Sequence, residues 1–219
     1  IPKLMTYQLQ EGCAMPGWDS VSFVRPVHHL VALFGEQVLA VKALGLKAGR
    51  KTLGHRFEAR TASIDINHAD HYEQTLLEQG AVIASFDQRK ALIQQQLLQV
   101  AQAAGEGLKP IQDEALLMEV TGLVEKPNVL LCQFDKAFLE VPAECLVLTM
   151  KANQKYFPLL NAKNELTHQF LVVSNITPSD PSAVITGNER VVRPRLADAQ
   201  FFFNQDRQHS LASRLDRLA

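Results

Sequence analysis

The sequence predicts an α+β fold in which antiparallel strands pair locally around an inserted group of acidic helices. Three observations carry this. Short apolar runs separated by turn residues occupy the chain up to residue 66. The apolar period lengthens to that of a helix between residues 67 and 122. Strand-like runs then return after Pro127. The pattern lacks βαβ alternation, internal repeats and low-complexity tracts.

Residues 1–24 read as loop, punctuated by Gly12, Pro16 and Gly17. The runs Leu30–Phe34 and Val38–Val41 flank Gly35-Glu36 and predict a hairpin. A basic, glycine-spaced loop follows from Gly45 to Phe57, and Ser63-Ile64-Asp65-Ile66 alternates as a short strand. Asn67 is placed to cap a helix through Tyr72, Leu76 and Leu77 that Gly80 ends. Asp87 is placed to cap a second, with Leu92, Ile93, Leu97, Val100 and Ala104 at helical spacing before Gly105. A third spans Ile111 to Gly122. Val129–Phe134 reads as a strand, and Pro142 fits the first turn of a helix to Met150. Tyr156–Leu160 and Phe170–Ser174 predict a hairpin across residues 161–164. Asp180-Pro181 opens a helical stretch, and Pro194 starts or kinks a long C-terminal helix. The expected organisation is therefore 1–66 as the first part of the α+β module, 67–124 as the helical insertion, 125–180 as the remainder, and 181–219 as a helix leading onward.

Of the 219 residues, 47% are hydrophobic and 21% charged, the balance of a soluble globular chain. No run approaches the ~18 apolar residues of a membrane span. Ile1 stands where an initiator Met is expected, and the last residues read as mid-helix, so both ends look cut from a longer chain. Cys13, Cys132 and Cys145 form no CxxC pair and leave an odd thiol, which favours a reducing compartment and buried structural thiols.

The net charge of −1 conceals a strong asymmetry. Residues 41–60 carry Lys42, Lys47, Arg50, Lys51, Arg56 and Arg60 against Glu58 alone, whereas residues 61–150 carry 13 acids and 5 bases. From Glu189 to the end there are six arginines and four acids, and a basic segment at each side of an acidic middle suggests two surfaces with different partners, which charge alone does not name. Glycines 45, 49 and 54 allow close backbone approach, but their spacing matches no nucleotide-binding fingerprint. Contact with an RNA backbone, which needs charge and access but no fixed motif, fits this segment, as does a solvated basic loop. Arg190-Val191-Val192-Arg193-Pro194-Arg195 fits an anion site at a helix start, or a helix on which Arg193 or Arg195 pairs with Asp198. Lys151–Phe157 mixes cations, amides and aromatics and suits unpaired bases, or else places Tyr156 and Phe157 in the core. Phe201, Phe202 and Phe203 cannot all face one way on a helix, which points to a contact of at least one with another domain or subunit, or else to a deep groove within this domain. The seven histidines show no metal-ligand spacing. His55 is the one considered for a reactive role.

Several stretches resemble one family. Arg25-Pro26-Val27-His28 is similar to the "RPVH" of bacterial glycyl-tRNA synthetase β subunits, and Leu44-Gly45 through Gly54-His55-Arg56-Phe57 to their "LG…GHRF". Val141-Pro142-Ala143-Glu144, Thr149-Met150-Lys151 and Gln154-Lys155-Tyr156-Phe157-Pro158 resemble "VPAE…TMK…QKYFP". Gly187-Asn188-Glu189 through Ala199, with Phe201-Phe202-Phe203, resembles the family's long "GNE…VVRPRLADA…FFF" stretch. The resemblance implies an internal part of a β subunit of a cytoplasmic heterotetrameric glycine–tRNA ligase. ATP and Mg are expected at a site on the α subunit, with no cofactor, catalytic residue or metal in this stretch.

Expected partners are the α subunit, tRNA(Gly) and further β-subunit domains, with no membrane. The implied fold resembles the editing module of phenylalanyl-tRNA synthetase β subunits. Expected tRNA contacts are Arg25, Lys47, Arg50, Lys51, His55, Arg56, Lys155, Arg193 and Arg195. Phe201, Phe202 and Phe203 are the expected subunit or domain contact. Two further roles remain open on the resemblance: hydrolytic editing of mischarged tRNA, and a purely structural scaffold.

Overall fold

The computed structural model describes residues 5–8, 20–23, 27–43, 45–208, 210, 212 and 213, with side chains from residue 27 onward. The fold is mixed α/β, with small antiparallel sheets and five α-helices among the described residues. It divides into two compact units, residues 1–84 and 85–219.

The first unit is a succession of two-stranded ribbons. Strands β1 (Met5–Gln8) and β2 (Ser20–Phe23) pair antiparallel, with Met5 opposite Phe23. The expectation of loop across residues 1–24 is thereby corrected at residues 5–8 and 20–23; the rest of that stretch lies outside the described residues. Strand-forming Tyr7, Val21 and Phe23 outweigh the turn residues between them. Strands β3 (Leu33–Phe34) and β4 (Gln37–Val38) form the expected hairpin across Gly35, whose φ of +57° supplies the left-handed turn. Strand β5 (Lys42–Ala43) pairs with β6 (Leu46–Lys47), and β7 (Lys51–Thr52) with β8 (Ile64–Asp65). In the alternating stretch Ile64 and Ile66 are fully buried and Asp65 is exposed. With Leu76 of helix α1 (Tyr72–Gly80) they make the core of this unit. That helix follows a 3-10 turn, Ala69–His71, capped by His68, whose Nδ1 accepts from the Asp70 N–H. His68 thus takes the place expected of Asn67.

The second unit is layered. Its antiparallel sheet runs in the order β10 (Asn128–Gln133), β12 (Leu166–Ser174), β11 (Phe157–Leu160), β9 (Lys109–Pro110). Helices α2 (Phe86–Ala104) and α3 (Glu114–Thr121) cover one face, burying Ile93, Leu97, Leu117 and Val120 against Val129, Leu159 and Leu171. Helices α4 (Ala143–Gln154) and α5 (Ser182–Asp206) cover the other, burying Leu146, Met150, Val192 and Leu196 against Cys132, Phe170 and Val172. Both faces being covered, Phe170, Leu171 and Val172 point alternately to the two cores. The strand therefore reads as a continuous apolar run.

Ser85, one residue before α2, caps it through Gln88 N–H, so Asp87 lies in the first turn and is not the cap. Asp113 caps α3 through Leu116 N–H. The last helix runs 25 residues straight through Pro194. Cys132 is buried, and burial beside Glu189 pushes its thiol up to about 12, whereas Cys145 is exposed, contrary to expectation.

Candidate nucleic-acid interface

The charge segregation seen in the sequence takes a definite shape in the first unit. Gly49 N–H donates to Leu30 C=O at 2.9 Å and Ala32 N–H to Gly49 C=O at 3.4 Å, holding the chain after Pro26 beside the basic loop. Between them lies a concavity of about 270 Å³, lined by His28, His29, Leu30, Leu46, Lys47, Gly49, Arg50 and Lys51. Among the described residues its lining holds no carboxylate.

The cations of this segment differ in what they do. Arg50 is turned onto the protein: its guanidinium donates to Glu36 C=O at 2.9 Å and Asn67 C=O at 3.4 Å, tying the β3–β4 turn to the chain just beyond β8. Lys51 stands opposite Asp65 in the β7–β8 pair. Lys42 and Lys47 stand directly opposite each other in the β5–β6 ribbon, both exposed. Among the described residues neither has a carboxylate partner. Like charges in register oppose strand pairing, so this arrangement is unfavourable for the isolated ribbon and favourable only toward an anion.

Downstream, Gly54-His55-Arg56-Phe57 is a built turn. His55 is 1% exposed, and its Nδ1 accepts from the backbone N–H groups of Phe57 and Glu58, both at 3.1 Å. The buried ring thus positions the backbone of this turn. The same turn leaves Arg56 and Phe57 outside, the guanidinium carbon 5.5 Å from the ring centroid.

In the second unit the expected cations are dispersed. Lys155 caps α4 in the left-handed conformation, and its ammonium pairs with Glu119 at 3.0 Å. Lys151 pairs with Asp113, and Tyr156 and Phe157 are buried, so the core reading of Lys151–Phe157 is the one the structure adopts. Arg193 and Arg195 do not aim at one point as a helix start would require. The helix begins at Ser182, the surrounding N–H groups are internal to it, and two residues at 100° each set the side chains about 200° apart. Arg193 instead lines a second concavity of about 370 Å³ with Asp135, Lys136, His168 and Glu189. Glu189 accepts from Gln133 N–H, and Asp135 caps a 3-10 turn, Lys136–Glu140. Burial and then Lys136 hold His168 below its ordinary range. Arg195 is exposed. Phe203 packs on the core beneath α5, while Phe201 and Phe202, 58% and 63% exposed, meet edge-on at 5.6 Å. Arg25 lies outside the described residues. The bonding of Arg50 and His55 to backbone is what sequence reading missed, since charge and residue type do not disclose partners.

The family model described as glycyl-tRNA synthetase beta subunit matches residues 1–219. The chain is 64% identical over 220 residues to the glycine--tRNA ligase beta subunit of Paracidovorax citrulli (strain AAC00-1), covering 100% of this chain and 31% of that protein. It is 64% identical over 218 residues to that of Polaromonas naphthalenivorans (strain CJ2), again 100% and 31%. To that of Dechloromonas aromatica (strain RCB) it is 62% identical over 219 residues, 98% and 30%. The chain thus spans about a third of the length of these relatives.

Proposed function

The chain belongs to the glycyl-tRNA synthetase beta subunit family, and from that premise we propose that it serves glycyl-tRNA aminoacylation as a non-catalytic, tRNA-binding module. The single observation that carries this is the concavity lined by Lys47, Arg50, Lys51, His28 and His29, without a carboxylate among the described residues, with Lys42 standing opposite Lys47 in the ribbon. Phosphate oxygens neutralise such a set, and the released counterions supply salt-dependent affinity. Arg50 shapes the site by fixing two backbone carbonyls, while Lys42, Lys47 and Lys51 reach the polyanion. In this reading ATP, Mg and glycine are handled on an α subunit, the enzyme works in the cytoplasm, and tRNA(Gly) is the RNA. Kinship of fold with the editing module of phenylalanyl-tRNA synthetase β subunits belongs to the same reading, and it brings no hydrolysis with it, because activity resides in sites and not folds. The test replaces Lys42, Lys47 and Lys51 together by Ala in the complete enzyme and titrates tRNA(Gly). The proposal requires a loss of about tenfold or more at physiological salt. Unchanged affinity would refute it.

A second role, assembly, rests on Phe201 and Phe202. Two large apolar side chains exposed side by side on a helix mark a contact surface. Phe201→Ser with Phe202→Ser is expected to weaken association with the α subunit or docking of neighbouring β-subunit domains, as read by sedimentation. Assembly indistinguishable from wild type would remove this role.

A further inference from the structure

The turn at residues 54–59 spends several structural devices on leaving one aromatic ring outside. Phe57 is 74% exposed, an unfavourable place for a phenylalanine unless something covers it. The backbone beneath it is fixed from every side. Gly54 lies against Gly80 so closely that no side chain fits there. His55 N–H donates to Gly80 C=O at 2.7 Å, Ala59 N–H to His55 C=O at 3.1 Å, and Arg60 N–H to Gln79 C=O at 2.8 Å. The His55 ring, buried below, takes the N–H groups of Phe57 and Glu58 that a loop of this kind would otherwise turn to water. The Arg56 guanidinium lies over the ring at 5.5 Å, a second flat, cationic group beside the aromatic one.

We propose that Phe57, flanked by Arg56, is a stacking platform for an unpaired nucleobase of an RNA. This rests on the tRNA-binding reading and deepens it by separating base contact from phosphate contact. Aromatic faces and guanidinium planes are the protein surfaces on which splayed bases stack. The local charge selects nucleic acid over an apolar protein surface. Arg56 and Arg60 are exposed on this turn, and the surrounding residues 41–60 carry six cations against one acid. A platform gains by rigidity, because a base then stacks without ordering the loop, and rigidity is what Gly54 and His55 provide.

The experiment uses the complete enzyme and two probes, a fluorescein-labelled oligoadenylate and an RNA duplex of equal length, at several salt concentrations. Phe57→Ala is expected to weaken oligoadenylate binding about tenfold, to leave duplex binding within about twofold and the salt slope unchanged, and to keep the melting temperature. Phe57→Tyr, which retains a ring, is expected to bind as wild type. Equal oligoadenylate affinity for Phe57→Ala and wild type overturns the platform while leaving the phosphate-binding reading in place. A parallel loss on both probes with a reduced salt slope overturns it as well. Should wild type bind neither RNA at low salt, platform and tRNA-binding reading fall together.

Discussion

Gly54 and Gly80 meet backbone to backbone: a Cβ built on Gly54 would sit 2.4 Å from Gly80 Cα and 2.6 Å from its carbonyl oxygen. This contact seats the basic turn on the end of α1, and it requires the absence of a side chain, not a glycine-only φ. Gly54→Ala is expected to cost about 2–3 kcal/mol through forced displacement of backbone. Gly80→Ala, whose Cβ meets chiefly the Ile64 side chain at 2.8 Å and gains helix propensity, is expected to cost less. Urea unfolding midpoints of the two variants check the order.

His55→Ala leaves the N–H groups of Phe57 and Glu58 without their acceptor and opens space in a buried position. The expected cost is about 2–4 kcal/mol. The accompanying signature is local: faster amide exchange at residues 56–59, with the cores of the second unit unchanged.

Lys42→Glu is expected to move stability and function in opposite directions. It turns a like-charged cross-strand pair with Lys47 into an oppositely charged one, stabilising the ribbon by about 0.5 kcal/mol. It also places a carboxylate beside the concavity proposed to hold phosphate, so tRNA affinity is expected to fall. Thermal melting and a tRNA titration on the same sample read both signs.

Much of this architecture is legible in the sequence, and the exceptions have physical causes. The Leu33–Val38 hairpin is plain because its turn residue is glycine, and the alternation at Ile64–Ile66 because Ile64 and Ile66 are buried while Asp65 is exposed. The β1–β2 ribbon is hidden because 11 residues, among them Gly12, Pro16 and Gly17, separate short strands whose pairing is not local in sequence. The caps of the 3-10 turn leading into α1 and of α2 shift by one and two residues, because His68 and Ser85 offer acceptors that compete with Asn67 and Asp87. The basic stretch is visible as charge, but charge does not say that Arg50 bonds carbonyls, that Lys155 meets Glu119, or that Lys42 faces Lys47. Those are facts of register and tertiary packing.

Asp113 supplies a pH test in the second unit. The ion pair and hydrogen bond with Lys151, then the Leu116 N–H, hold its carboxyl below the usual range. A carboxyl whose folded value is depressed stabilises the fold at neutral pH. That contribution begins to fade as the pH falls through the ordinary carboxyl value of 3.8 and is gone below its folded value. Asp113→Asn preserves a capping side chain but removes the charge, and is expected to lose about 0.5–1 kcal/mol near pH 7. The difference from wild type should vanish on acidification below the folded value of that carboxyl, read by stability curves at a series of pH values.

The tRNA-binding account turns on the number of ammonium groups that touch phosphate. The most direct measurement is the slope of log affinity against log salt for tRNA(Gly) and the complete enzyme, wild type against Lys47→Ala with Lys51→Ala. Two lost phosphate contacts are expected to flatten the slope by about 1.5–2. An unchanged slope, whatever the affinity, would show that these lysines do not meet the RNA backbone.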